Sequence, residues 1–388
     1  MTQVTETETK PLPKRNEVPQ ELTWDLTVIY ATDADWETDF ARVDADIEPF
    51  EKLQGTVGDS PQALLNVLQK QDEIGTLFSQ LYSYASLRRS EDNANADAQA
   101  RVDRIRMQGT RLAAATSWIE PEILALPPET IAGFLEQNGS GLELYAYYLQ
   151  KLERRRPHVR SAEVEDVLAL ASEATSGTST VFKLFNDADM KFPSVKDDTG
   201  AEQELTHGRY INFLENRDRG VRERAFKTMH GEYSKWRNTL AASLTGAVKA
   251  DVFGARARNY PSALHAALSP DDIPTEVYHN LIGAVRERLP VLHRYLRLRK
   301  KMLQLPDLQM WDLYVPMVAE VEKKISYAEA KTAVLEASRP LSDKYINIIQ
   351  KGFDNRWVDV LENEGKTSGA FSDGAYTTPP YVLMNWQD

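Results

Sequence analysis

The sequence predicts a mainly α-helical fold with one small β-hairpin and a short sheet. Three observations carry this reading. Apolar residues recur every three or four positions through most of the chain, which is the spacing of an amphipathic helix. A turn signal, Asp197-Asp198-Thr199-Gly200, separates two short extended runs. The last apolar run, Tyr381-Val382-Leu383-Met384-Asn385-Trp386, is nearly continuous and reads as a buried strand.

Taken in order, residues 1–19 are rich in Thr, Glu and Pro and are expected to form a disordered tail. Residues 24–30 give a short apolar anchor. Leu64, Leu65, Leu68, Leu77, Phe78 and Leu81 then mark a helix, with Ser60 as its N-cap and Pro61 at its first position. A second helix is expected from about Asn95 to Trp118, ending before Pro121. Pro127-Pro128 and Gly139-Ser140-Gly141 break the helices that follow, and an all-helical N-terminal domain is placed at 20–185. Lys191-Phe192-Pro193-Ser194-Val195 and Glu202-Gln203-Glu204-Leu205 flank the hairpin turn. Beyond it, Phe226, Met229, Tyr233, Trp236, Leu240, Leu244, Val248 and Val252 predict one long helix with a buried stripe. Val285, Leu289, Leu292, Leu296 and Leu303 predict another, bounded by Pro274 and Pro306 and kinked at Pro290. Residues 186–388 are read as a second, incomplete domain.

Composition narrows the function classes. The 388 residues carry a formal net charge of −12, which disfavours nucleic acid and anionic membrane surfaces as partners. The chain has no cysteine, so neither a disulfide framework nor a thiolate metal site can form. The first residues, MTQVTETETKPLPKRNE, hold no apolar core of a signal peptide, and no apolar stretch is long enough to span a bilayer. An intracellular protein is expected.

Several local patterns resolve into ordinary structure. Gly365-Lys366-Thr367 suggests a phosphate loop, but Val360 stands where that loop needs its first glycine. Arg286, Arg288, Arg294, Arg297, Arg299, Lys300 and Lys301 fall on a helix with a clear apolar stripe, so they are read as its solvated face; Arg154-Arg155-Arg156 is treated likewise. Asn138-Gly139-Ser140 fits a glycosylation pattern and, without a secretory signal, is read as a turn. The six histidines are 158, 207, 230, 265, 279 and 293; no two are four apart and none precedes a Glu. Each is read as a surface or capping residue, His207 in particular following Thr206 as a candidate N-cap.

Trp24-Asp25-Leu26, the stretch Asn186-Asp187-Ala188-Asp189-Met190-Lys191-Phe192-Pro193, Leu205-Thr206-His207-Gly208-Arg209-Tyr210, Asp312-Leu313-Tyr314-Val315-Pro316, Arg356-Trp357-Val358-Asp359-Val360 and the closing segment from Glu362 to Trp386 together resemble oligoendopeptidase F, a zinc metallopeptidase of the thimet-oligopeptidase group (family M3). The likeness runs in order along nearly the whole chain. It implies a helical metallo-oligopeptidase fold, a cytoplasmic setting, and hydrolysis of short oligopeptides in a channel that excludes folded proteins. It also implies zinc held by a His-Glu-x-x-His helix with a downstream Glu, the first Glu acting as general base.

That helix does not occur in these residues, so no catalytic residue and no metal ligand is transferred; zinc belongs to the intact family enzyme and is not expected on this chain. The family motif begins shortly after the position where the chain stops. The catalytic domain is therefore expected to be truncated, with Val382, Leu383, Met384 and Trp386 deprived of partners and the second half unable to fold alone. The loop Ser368 to Gly374 is the segment read as functional. Its small residues let another backbone approach, and the resemblance assigns Gly369, Ala370 and Phe371 to the wall of the substrate cleft. Two alternatives stand beside a truncated peptidase: a non-catalytic peptide-binding relic, and a structural half that completes a separate C-terminal polypeptide carrying the zinc site.

Overall fold

The computed structural model describes residues 12–137, 139–318 and 324–386. Asn138 of the glycosylation pattern and residues 1–11 of the expected tail lie outside the described residues. The chain divides into two compact units, Met1–Glu153 with Lys323–Asp388, and Arg154–Glu322. The linear boundary at 185 read from the sequence is thus not where these units part.

The first unit is built on three helices: α1 (Asp33–Glu51), α2 (Pro61–Glu91) and α3 (Ala96–Thr116). Each start has a local cause. Thr32 and Asp35 form a capping box for α1, Ser60 accepts from the Ala63 amide ahead of Pro61 in α2, and Asn95 accepts from the Ala98 amide in α3. In α2, Leu64, Leu68, Leu81 and Leu87 are fully buried and pack in one core with Trp36, Val102 and Ile105. The shorter helices α4 (Ile119–Ala125), α5 (Pro128–Leu135) and α6 (Ala146–Arg155) follow. Pro121 lies inside α4, in its first turn where its missing N–H costs nothing, so it does not bar a helix there.

Part of the expected tail is docked. Residues Arg15–Glu17 form a 3-10 turn, and the Arg15 guanidinium pairs with both Asp359 and Glu91.

Lys323–Asp388 adds α13 (Tyr327–Ala337) and α14 (Asp343–Asp354), then a three-stranded sheet. Its strands are numbered after the hairpin of the second unit: β3 (Val358–Leu361), β4 (Phe371–Asp373) and β5 (Tyr381–Trp386), in the order β3-β5-β4. β5 runs parallel to β3 and antiparallel to β4. This corrects the expectation that the last strand is deprived of neighbours. Both of its edges are paired by strands that precede it. One face, Tyr381 and Leu383, is fully buried in the core of the first unit, with Trp24 edge-on to Tyr381 at 6.1 Å. Partners come from upstream in the chain, which no reading of the final segment by itself could reveal.

The second unit holds α7 (Ala162–Leu184), the hairpin β1 (Val195–Lys196) and β2 (Glu202–Gln203), α8 (His207–Glu215), α9 (Arg219–Lys235), α10 (Arg237–Ala257), α11 (Ala263–Leu268) and α12 (Thr275–Met302). In the hairpin turn the Asp197 carboxylate accepts from the Thr199 and Ala201 amides, and Gly200 takes φ +86°. Thr206 caps α8 as predicted, accepting from the Arg209 amide.

Two expectations are corrected here. The single helix predicted through Phe226 to Val252 is two, because Trp236 leaves helical geometry (φ −102°, ψ 13°) while the apolar period continues across the break. The stripe on α12, a helix that includes Pro290, is not buried: Val285, Leu289 and Leu292 are all exposed. Periodicity fixes which face of a helix is apolar, not whether another element covers it.

Candidate functional site

The residues singled out in the sequence lie on and before β4, one of the two outer strands of the three-stranded sheet. Among the described residues, the second edge of β4 pairs with no strand. Gly369 has φ +80°, and a methyl group there would meet nothing within 4 Å. Ala370 is exposed, while Phe371 is half-buried and packs against the core of the first unit. The three are adjacent at the start of this edge, where an extended chain can add by main-chain hydrogen bonds.

The segment is held from behind by α2 and by Asn93 just past its end. Ser83 donates to the Asp373 carboxylate at 2.7 Å, and Thr377 donates to Gln80 at 2.7 Å. The Thr367 amide donates to the Ser90 carbonyl at 3.0 Å, and the Asn93 side chain donates to Gly365 O and Thr367 Oγ1, both at 3.0 Å. From the sheet side, the Asn385 amide donates to the carbonyls of Thr367 and Gly369. Glycine is required at 365: φ is +77°, and a Cβ would stand 2.1 Å from the Asp92 carboxylate.

The lysine of the Gly-Lys-Thr pattern has a structural role. The Lys366 side chain is wholly buried, with Nζ 2.6 Å from Asp359 Oδ1 and a further bond to the Leu361 carbonyl. Burial pulls its pKa down, and the Asp359 carboxylate opposes that. Asp359 also takes a bidentate contact from Arg15 and a bond from the Trp24 amide. The cluster ties the chain's early residues to β3. It carries no free ammonium to meet a phosphate.

On the sheet face opposite the core, Val382, Met384 and Trp386 line an apolar groove of 450 Å³ together with Tyr327, Ile348 and Phe353. Tyr327 stands edge-on to Trp386 at 5.7 Å.

Four of the six histidines are engaged elsewhere. His158 stacks on Tyr260 at 3.6 Å, His207 Nε2 lies 2.7 Å from the Tyr233 hydroxyl, His230 Nδ1 meets the Phe226 carbonyl, and His265 Nδ1 lies 2.8 Å from Ser262 Oγ. Among the described residues, no three His, Cys, Asp or Glu side chains converge as a metal site. A catalytic zinc needs three protein ligands, so the described residues do not fit one.

Sequence reading missed the residues that set the edge: Asn385, Asn93 and Ser83. Their roles depend on strand register and on packing against α2, and neither leaves a local pattern.

Comparison with known proteins bears on the whole chain. Residues 212–388 match the model of peptidase family M3, and residues 122–192 match that of oligopeptidase F. Oligopeptidase PepF of Bacillus subtilis is 41% identical over 100% of this chain and 58% of its own length. Group B oligopeptidase PepB of Streptococcus agalactiae is 36% identical over 96% of this chain and 62% of its own. Crystal structures agree. Oligoendopeptidase F of Enterococcus faecium superposes with a TM-score of 0.61 at 36% identity, covering 83% of this chain and 60% of that one. A peptidase candidate of Chlamydophila abortus gives a TM-score of 0.87 at 30% identity over 97% of this chain and 63% of that one. The chain thus spans about three-fifths of the length of these relatives. It belongs to peptidase family M3, in the oligoendopeptidase F group.

Proposed function

We propose that this chain supplies the scaffold and the substrate-aligning edge of an oligopeptide hydrolase, with Gly369, Ala370 and Phe371 lining the cleft. One observation carries the reading: β4 is an outer strand whose inner side is clamped to α2 and β5 while its outer side is open. An extended peptide can add to such an edge by main-chain hydrogen bonds, which orient the peptide with little regard to its sequence. The bare Gly369 leaves room for the incoming backbone, and Phe371, anchored in the core, keeps the strand from moving when it is loaded.

Peptide hydrolysis by the whole protein, its dependence on zinc and a cytoplasmic setting are part of the same proposal. The family membership and the acidic, cysteine-free composition support it. No helix among the described residues is long and apolar enough to cross a membrane. The metal ligands are assigned to no residue of this chain, whose sequence has no His-Glu-x-x-His.

The test is fluorescence polarisation with a short fluorescein-labelled peptide of alternating Ser and Val, beside the same peptide N-methylated at every second amide. Edge pairing requires the peptide's N–H groups, so the methylated form should bind at least about tenfold more weakly. Equal binding of the two, or none by either, would overturn the edge-pairing reading. Zinc measured on the purified chain should fall well below one equivalent; a stoichiometric value would contradict the assignment of the ligands elsewhere.

A further inference from the structure

In the β4–β5 ladder Phe371 lies opposite Leu383, Ser372 opposite Val382 and Asp373 opposite Tyr381. Continuing that register by two residues sets Gly369 against Asn385. The ladder stops short of this pair because Gly369, at φ +80°, turns the chain out of extended geometry. There the Asn385 side chain takes over from the main chain. Its Nδ2 donates to the Gly369 carbonyl at 2.7 Å and to the Thr367 carbonyl at 3.0 Å. Both partners are carbonyl oxygens and accept only, so the atom facing them must be the amide NH2. Its Oδ1 is buried with no partner among the described residues, which fits an amide placed there for its donors.

We propose that Asn385 is a positioning residue for the substrate edge. By bonding both carbonyls around residue 368, it fixes the Gly369 turn and delivers residues 370–373 to the peptide in extended form. The anchors from α2 and from Asn93 just past its end hold Thr367 and Asp373 but do not bond Gly369. Without the amide, the turn between them loses its tie to β5, and the open edge loses the shape a peptide must match. This rests on the edge-pairing reading of β4, and the measurements below separate the two.

Asn385→Asp is nearly isosteric, but its carboxylate cannot donate to a carbonyl; Asn385→Ala removes the group. Amide hydrogen exchange of the full chain needs no ligand. Both variants should exchange about tenfold faster across residues 367–373 while the amides of α2 keep their protection. Peptide binding is then read with the fluorescein-labelled Ser-Val peptide, whose affinity should fall about tenfold in both variants at an unchanged melting temperature. Unaltered exchange across 367–373 in Asn385→Asp would overturn the proposal. A fall in protection that includes α2 would also overturn it, because Asn385 would then be a general packing residue. If the unsubstituted chain fails to bind the peptide, edge pairing is lost, while the exchange result still decides whether Asn385 holds the turn.

Discussion

The two units spend the same kind of sequence differently. In the first, the helical stripe of α2 is buried, and residues from both ends of the chain complete the core: Trp24 and Leu26 from the start, Tyr381 and Leu383 from the end. In the second, the core is the small group Val195, Leu205, Phe213, Val221, Ala225 and Met229, and the stripes of α7, α10 and α12 are largely exposed. Leu170, Leu244 and Leu281 stand at 76, 68 and 62% exposure, against none for Leu81. An amphipathic period is a property of the helix, whereas burial is a property of the pair, and the first unit has found its partners within the chain. Both units nonetheless bury an aspartate. Asp359 faces Lys366 and Arg15 in the first; Asp312 faces Arg219 and Arg222 in the second.

The largest test of this contrast removes those carboxylates. Asp359→Ala strands a wholly buried lysine, and Asp312→Ala strands Arg222, which is 3% exposed; each should cost about 3–5 kcal/mol in urea unfolding. A loss below about 1 kcal/mol for Asp312→Ala would mean that the sparse second unit is too wet for its ion cluster to count as buried.

Acid should act on the same cluster. Burial alone would raise the Asp312 carboxyl, but hydrogen bonds from Arg219 and Arg222 outweigh it and hold the group below the usual carboxylate range. With the folded pKa below the unfolded value of about 3.9, the stabilisation is present above that pH and is lost as pH falls through the folded pKa. Asp312→Asn should flatten this acid limb of the stability curve, and an unchanged limb would assign it to other carboxylates.

Next come the apolar stripes. Leu81→Ala should cost about 2–5 kcal/mol and Leu281→Ala no more than about 0.5 kcal/mol by urea midpoint. Comparable costs would show that α12 is covered in solution.

The smallest effects compare two glycines of the candidate site. Gly365→Ala meets both a left-handed backbone and the Asp92 carboxylate, and should cost about 1–3 kcal/mol. Gly369→Ala meets the backbone term alone, about 1 kcal/mol, and should weaken peptide binding by more than it lowers stability. Equal losses of stability at the two sites would mean that Gly369 is not in open space.

Much of the architecture was legible in the residues because it is written locally. Ser60 with Pro61, Thr206, and the turn at Asp197 to Gly200 each set an element through contacts within four residues along the chain. The six-residue run at 381–386 declared itself a strand, whereas Gly369, Ala370 and Phe371 were assigned to a cleft wall by the family resemblance and not by their residue pattern. The family, too, was carried by motifs spread in order along the chain. The break at Trp236 was not legible, since the apolar period runs straight through it.

What the tertiary structure alone decided is pairing. That Lys366 lies against Asp359 rather than a phosphate, that Asn385 stands opposite Gly369, and that β5 is covered by Trp24 and flanked by β3 and β4 are facts about residues far apart in sequence. Hydrogen bonds within a helical turn are specified by neighbours and can be read one segment at a time. Register and burial are settled by which distant segments close upon each other, and a one-residue slip in that closure would exchange the two faces of β5.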